Sequence, residues 1–143
     1  MNITDSDITV KKAKGYGVMN NNGTVFIDTT NISVNSTESY GIYNNTGEVT
    51  LGEAEPTDSG NWGKATASVS TTDPNIKAVG TSNFGIGVKN ISGRFNYYDG
   101  RITGSTQAMP ETPTNVEYKY EPRFDTDGDG YQYCILIWLP GGE

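Results

Sequence analysis

The chain of 143 residues has no histidine and a single cysteine, Cys134. Without histidine, a serine–histidine–aspartate triad, a cysteine–histidine nucleophile pair and any zinc site with imidazole ligands are excluded. The cysteine stands inside the apolar run 134–139, which favours a buried small side chain over a reactive one.

Apolar residues and positive charges are also scarce. Only 34% of the residues are hydrophobic, and no apolar run is long enough to cross a bilayer. Ten Lys and Arg stand against 17 Asp and Glu, which gives a formal net charge of −7. A nucleic-acid partner would call for a basic surface. We therefore expect no nucleic-acid binding and no membrane insertion in this segment.

Glycine, with 18 residues, is abundant, as are asparagine, serine and threonine. The chain also holds nine Tyr and four Phe. The aromatic and β-branched residues argue against disorder. Strand-forming residues punctuated by turn residues are typical of an all-β protein.

Three stretches of the chain share one pattern. They are YGVMNNNGTVFI from Tyr16, YGIYNNTGEVTL from Tyr40 and IGVKNISGRFNY from Ile86. The first two are 24 residues apart, and the third follows 46 residues later, which is close to twice that. A fixed period of this size indicates a repeat architecture. The sequence therefore predicts a β-solenoid with coils of about 24 residues and three strands per coil.

Stacked coils would place equivalent residues about 4.8 Å apart. The predicted apolar rows are Val18, Ile42 and Val88, then Val25, Val49 and Phe95, then Ile27, Leu51 and Tyr97. Asn20, Asn44 and Asn90 are predicted to form a hydrogen-bonded amide row at a corner. Gly23, Gly47 and Gly93 are predicted to supply the positive φ of that corner. A ligand-binding face is the alternative role for these Asn and Gly residues.

The predicted coils occupy residues 1–107 and begin in the middle of a coil, as part of a longer repeat array. Residues 52–67 read as an acidic inserted loop, with a degenerate coil as the alternative. Trp62 in this segment is either a ligand contact or an anchor for the loop. Residues 108–143 are predicted to be a β-hairpin, 116–124 with 131–139, that covers the open end of the solenoid, followed by the start of a linker.

Asp125, Asp127 and Asp129, followed by Gly130, match the first half of a calcium-binding loop. The twelfth position, where an EF-hand has glutamate, is Leu136, and no helix flanks the segment. A hairpin turn explains the same residues and is the favoured interpretation. Calcium is the one cofactor that the sequence leaves open.

The string IGVKNISGRFNYYDGRITGST, preceded by VSTTDPNIKAVG and followed by YKYE and YQYCILIWL, resembles repeats in large surface proteins of Gram-positive gut bacteria. This resemblance implies a right-handed parallel β-helix of the pectate-lyase-like kind, located outside the cell. The wider superfamily includes polysaccharide lyases and glycosidases, but none of their catalytic motifs matches a position of this chain.

We therefore expect a non-enzymatic extracellular β-helix module of a bacterial surface protein. It would act as a stalk or as an adhesive surface toward host or cell-surface glycans or proteins. The alternative is a fragment of a polysaccharide lyase or glycosidase, which would need converging carboxylates or basic groups, for example around Arg94, Asp99 and Arg101. A phage or fibre spike is a third possibility.

Overall fold

The structure of the protein is a computed structural model that describes residues 1–54 and 69–139. These residues form twelve β-strands, and no helix long and apolar enough to cross a membrane occurs among them. The strands are β1 (Asn2–Val10), β2 (Lys14–Asn20), β3 (Thr24–Asn35), β4 (Glu38–Asn44), β5 (Glu48–Leu51), β6 (Asn75–Val79), β7 (Ile86–Asn90), β8 (Arg94–Tyr97), β9 (Arg101–Gly104), β10 (Asn115–Val116), β11 (Tyr120–Thr126) and β12 (Gln132–Trp138).

The strands of the described residues belong to two sheets. Nine of them form a mixed sheet in the order β10-β8-β5-β3-β6-β9-β12-β11, with β1 paired to β3 beside this path. This sheet is nearly closed and barrel-like. The other three form a small parallel sheet in the order β2-β4-β7. The chain is therefore all-β, as its composition indicates.

The β-solenoid prediction, and with it the right-handed parallel β-helix, is wrong. The predicted coil separates 24–28 from 32–35 by a turn, whereas the structure has one strand, β3, that pairs with β1 along nearly its whole length. At the bend, Thr29 N–H donates to Asp28 Oδ1 (2.9 Å) and Thr30 Oγ1 donates to the Asp28 carbonyl (2.7 Å). The parallel register is interrupted at Asp5 and Thr29, which have positive φ, and resumes beyond them, with Thr4 opposite Asp28 and Ser6 opposite Thr30. The two halves of β3 therefore belong to one sheet.

The predicted C-terminal hairpin forms, with strands Tyr120–Thr126 and Gln132–Trp138 in place of 116–124 and 131–139. β11 and β12 pair antiparallel, but β12 joins the edge of β9 in antiparallel register, with Cys134 opposite Ile102. The hairpin thus extends the mixed sheet instead of capping the end of a coil. Pro122 lies in β11, the last strand of the sheet order, where a residue without an N–H weakens the exposed edge as a template for further pairing.

The 24-residue offset survives as parallel strand register. Tyr16 pairs with Tyr40, and Val25 pairs with Val49, each 24 residues apart. As a result, equivalent apolar side chains meet in rows inside one core. The buried rows are Val18 with Ile42 and Val88, Val25 with Val49 and Phe95, Ile27 with Leu51 and Tyr97, and Ile32 with Ile76 and Ile102.

The two sheets pack against each other through glycine. A Cβ built on Gly41 of β4 would lie 2.5 Å from Ile76 Cγ2 of β6, and one on Gly87 of β7 would lie 2.5 Å from Ile102 Cγ2 of β9. The inner faces therefore approach too closely for any side chain at these positions. Residues that alternate with Ile76 and Ile102 point to the outer surface of the mixed sheet.

Trp62 and most of the predicted loop 52–67 lie outside the described residues, as does the predicted linker from Pro140.

Candidate functional site

A polar pocket of about 270 Å³ opens on the outer surface of the mixed sheet, beside the β11–β12 turn. Its lining residues are Thr72, Asn75, Lys77, Arg101, Thr103 and Asp127. Lys77 lies between Ile76 and Ala78, which are fully buried, so strand alternation directs Lys77 outwards. Lys77 is opposite Thr103 in the parallel ladder of β6 and β9, which sets the floor of the pocket.

Tyrosine rings, rather than carboxylates, hold the two cationic side chains. Arg101 Cζ lies 3.9 Å from the centroid of the Tyr133 ring, and Lys77 Nζ lies 5.6 Å from that of Tyr131. Both distances are within cation–π range. Neither cation forms an ion pair in the described part of the chain. The only side-chain hydrogen bond of Arg101 there joins Nε to Thr103 Oγ1 at 3.4 Å.

Asp127 is the one carboxylate among the described residues of the pocket lining. Its Oδ1 accepts hydrogen bonds from the backbone N–H of Tyr131 (3.0 Å) and of Asp129 (2.9 Å). The bond from Tyr131 is the main cause that lowers the pKa of Asp127, and the positive charges of Lys77 and Arg101 lower that pKa further. Asp127 is therefore a carboxylate near neutral pH, and it fixes the β11–β12 turn while it faces the pocket.

The charges of the lining residues that the structure describes leave one positive charge in excess, within a chain whose formal net charge is −7. The pocket is thus a local positive site on an acidic protein. Its volume is just below the roughly 300 Å³ at which small-ligand sites begin, so it suits a group the size of one sugar residue. The hydroxyls of Thr72 and Thr103 and the amide of Asn75 can both donate and accept hydrogen bonds.

Asp125, Asp127 and Asp129, for which the sequence leaves calcium open beside the favoured hairpin turn, are not arranged as a metal-binding group. Asp125 Oδ1 accepts a bond from the N–H of Thr126, and Asp127 caps the turn as described. No group of three or more His, Cys, Asp or Glu side chains arranged for a metal ion occurs within residues 1–54 and 69–139. The hairpin-turn interpretation of this segment accounts for its hydrogen bonds.

Asn20, Asn44 and Asn90 lie in one hydrogen-bonded row. Asn20 Nδ2 donates to Asn44 Oδ1 and Asn44 Nδ2 donates to Asn90 Oδ1, both at 2.9 Å. Asn44 has no exposed surface, so this row is part of the interior of the fold. The structure gives these residues a structural task and leaves no open face for a ligand at Asn44.

The corner glycines serve a different purpose from the one predicted. Of Gly23, Gly47 and Gly93, only Gly47 has a positive φ, +137°. A Cβ on Gly93 would instead collide with the carbonyl oxygen of Gly47 and with Nδ2 of Asn44. Close approach of neighbouring strands, rather than backbone conformation, therefore requires glycine at position 93.

Arg94, Asp99 and Arg101 do not form the converging cluster that a carbohydrate-processing enzyme would need. Arg94 pairs with Glu48 at 3.4 Å on neighbouring strands. Asp99 accepts hydrogen bonds from the backbone N–H groups of Ser70 and Gly100. Only Arg101 lines the pocket.

Asp99 makes the stability of the protein depend on pH. Burial, with the nearby charges of Asp28 and Asp73, raises the pKa of Asp99 to about 6. In the unfolded chain that pKa is about 3.9, so the folded state binds the proton more tightly. The stabilising contribution is present below about pH 4 and is lost as the pH rises through about 6. Asp99→Asn is therefore expected to raise the unfolding free energy near pH 7 more than near pH 4, as measured by urea denaturation.

The exposed Asp125→Asn is the matched control for this substitution, because it removes a carboxylate that also accepts a backbone hydrogen bond. Equal shifts for Asp99→Asn at both pH values would contradict the assignment.

A larger groove of about 330 Å³ lies between residues 107–113 and the hairpin. Its main polar groups already serve the fold: Glu111 binds Lys89 Nζ and the N–H of Asn90, and Gln132 Oε1 accepts the N–H of Ala108. The groove therefore offers few free polar groups, and the polar pocket is the better candidate site.

The sequence singled out Asp127 and Arg101 for other roles and passed over Lys77, Tyr131 and Tyr133. The pattern Ile76-Lys77-Ala78, a lysine between two apolar residues, could have indicated that Lys77 lies on the outer face of a strand. Which residues lie beside that lysine depends on the pairing of β6 with β9 and of β9 with β12.

Comparison with known proteins found no matching family model, no matching curated protein and no matching solved structure.

Proposed function

We propose that this chain is a non-enzymatic binding module whose polar pocket takes an anionic carbohydrate, one that bears a carboxylate or a sulfate. The observation that carries the proposal is the Arg101 guanidinium, which is stacked on Tyr133 with its terminal nitrogens turned to no partner among the described residues. A planar, preoriented guanidinium binds an oxyanion through two parallel hydrogen bonds. Lys77, in the same pocket, adds a second positive charge.

The pocket places a carboxylate, Asp127, beside the cations Lys77 and Arg101. This mixture of charges favours a sugar over a simple anion. Asp127 would repel a doubly charged free phosphate or sulfate ion more strongly than a sugar with a single negative charge, and it accepts hydrogen bonds from sugar hydroxyls. A sugar with one charged group presents an anion to Arg101 and Lys77 and hydroxyls to Asp127, Thr72 and Asn75. The lining therefore matches a ligand that is charged at one end and hydroxylated at the other.

A glycosidase is less well supported by the same pocket. Glycoside hydrolysis uses two carboxyl groups about 5 to 9.5 Å apart. Among the described residues the lining holds one, Asp127, and its pKa is lowered rather than raised. An adhesive role outside a bacterial cell, toward host or cell-surface glycans, is part of our proposal and rests on the sequence resemblance.

The test is isothermal titration with galacturonate and glucuronate oligosaccharides, their neutral galactose and glucose counterparts, and inorganic sulfate. The uronate oligosaccharides are expected to bind and to weaken as salt is added. Arg101→Ala is expected to weaken binding by about tenfold to a hundredfold, because a hydrogen bond to a charged group contributes roughly 1.5–3 kcal/mol. Arg101→Lys should recover only part of this loss.

Arg94→Ala is the matched control, since Arg94 is also a strand arginine but pairs with Glu48 away from the pocket. It should leave binding unchanged. Equal affinity for uronate and neutral oligosaccharides in this pocket, or full binding by Arg101→Ala, would contradict the proposal. Binding of sulfate alone with the same affinity would reduce the site to a simple anion site.

A further inference from the structure

A cluster of aromatic rings lies on the outer surface of the small parallel sheet, whereas the strand residues of the polar pocket belong to the mixed sheet. We call it the tyrosine face; it consists of Tyr16, Tyr40, Tyr43 and Phe84. The rings of Tyr16 and Tyr40 are stacked at 5.5 Å and 7°. Tyr43 meets both edge-on at 5.4 and 5.1 Å, and Phe84 meets Tyr40 edge-on at 6.2 Å. The rings therefore hold one another in place.

The tyrosine face is open to solvent rather than part of the core. Tyr16 is 38% exposed, and Met19, which pairs with Tyr43 in the ladder, is 51% exposed. Among the described residues, Tyr40 is the only ring stacked in parallel on Tyr16, so the second face of the Tyr16 ring is free of an aromatic partner. Exposed aromatic patches of this kind mark binding surfaces.

The charges at the rim of this face cancel. Lys14 pairs with Glu38 at 3.4 Å, and Lys89 pairs with Glu111 at 2.7 Å. Lys14 is opposite Glu38, and Lys89 is opposite Tyr43, in the same sheet. A charged ligand would have to compete with these pairs, whereas an uncharged, hydroxylated one would use them and the tyrosine hydroxyls as hydrogen-bond partners.

We propose that the tyrosine face is a second binding site, which takes a neutral pyranose of an oligosaccharide on the free face of Tyr16. The apolar C–H side of the sugar ring packs on the aromatic ring, while its hydroxyls reach the phenol groups and the paired charges at the rim. Neutral charge at the rim and an open ring face favour this ligand over an acidic glycan. The proposal does not depend on the anion pocket.

The two sites belong to different sheets. Gly41, next to Tyr40, faces Ile76, and Lys77 of the polar pocket follows Ile76 on β6. Tyr40 and Lys77 are both partly exposed, and they belong to the two different sheets that pack on one core. One molecule can thus hold two glycan chains at once, one neutral and one acidic.

The test is titration of the protein with cellohexaose, maltohexaose and xylohexaose, followed by amide chemical shifts. At least one neutral hexasaccharide is expected to bind, with the largest shifts at Tyr16, Met19 and Tyr43. Tyr16→Ala is expected to weaken this binding roughly tenfold, on the scale of one aromatic stacking contact. Phe124→Ala, which removes an equally exposed ring from the hairpin, and Arg101→Ala should both leave it unchanged.

Tyr43→Ala provides a second test if Tyr16→Ala fails to fold, and it should also weaken binding. No binding of any of the three hexasaccharides, or unchanged binding by both variants, overturns the proposal. Sedimentation velocity tests whether the face instead serves self-association. If the unmutated protein is a dimer and Tyr16→Ala is a monomer, the face is a dimer interface and the sugar site is overturned. Loss of uronate binding in Arg101→Ala, with neutral binding kept, shows that the two sites are distinct.

Discussion

Replacement of Asn44 by alanine is expected to destabilise the protein by about 3 to 5 kcal/mol, because several buried polar groups lose their partners at once. Asn44 Nδ2 lies within hydrogen-bond distance of Asn90 Oδ1 (2.9 Å) and of the carbonyls of Gly47 and Arg94 (3.2 Å each), and its Oδ1 accepts from Asn20. Chemical denaturation with urea measures the effect.

Asn44→Ala both removes hydrogen bonds and leaves a cavity. Asn44→Asp tests the hydrogen bonds without the cavity, because aspartate has nearly the volume of asparagine. A carboxylate there would face three oxygen acceptors in a fully buried position, which is strongly unfavourable. We expect Asn44→Asp to be at least as destabilising as Asn44→Ala near neutral pH, and less so in acid, where the carboxyl group is protonated.

The control for both variants is Asn45→Ala, the next residue in the same turn. Asn45 Nδ2 donates to Asn21 Oδ1 at 3.1 Å in an exposed amide pair. Its loss should cost no more than about 1 kcal/mol. Equal effects at positions 44 and 45 would show that burial of the Asn row is unimportant for stability.

Gly41→Ala is expected to destabilise the protein by about 3 kcal/mol and to lower the melting temperature by about 10 °C. The added Cβ would lie 2.5 Å from Ile76 Cγ2 and 2.5 Å from the carbonyl oxygen of Gly87. β4 is the middle strand of the small sheet, so its backbone is paired on both sides and cannot move away. Differential scanning calorimetry gives both quantities.

Gly128→Ala is the matched control, since no atom lies within 4 Å of a Cβ built there. A melting temperature of Gly41→Ala indistinguishable from that of Gly128→Ala would mean that the sheets can separate enough to admit a methyl group.

The candidate site shows where sequence reasoning stops. Asp127 belongs to a recognisable turn motif, and the motif determines its hydrogen bonds to Asp129 and Tyr131. Its neighbours Lys77 and Arg101 are 50 and 26 residues away in the sequence and belong to other strands. Only the side-by-side arrangement of β6, β9 and β12 makes them neighbours. The sequence favoured a hairpin turn for the Asp-rich segment and left calcium open as a ligand; the structure places its Asp127 carboxylate beside two cationic side chains.

The sequence by itself determined the strand content, the apolar rows and the pairing of residues 24 apart, because period and strand alternation are local properties that each copy of the pattern carries. It did not determine how the strands are distributed between sheets. That was decided at two places: the bend at Asp28–Thr30, where β1 keeps its parallel register with β3 on both sides, and the edge of β9, where β12 pairs antiparallel. The bonds at the bend are local, but β1 pairs with β3 on both sides of it, and the β9–β12 ladder joins Ile102 to Cys134. These pairings between distant residues turn the predicted coil into a nearly closed mixed sheet, packed on a small parallel one.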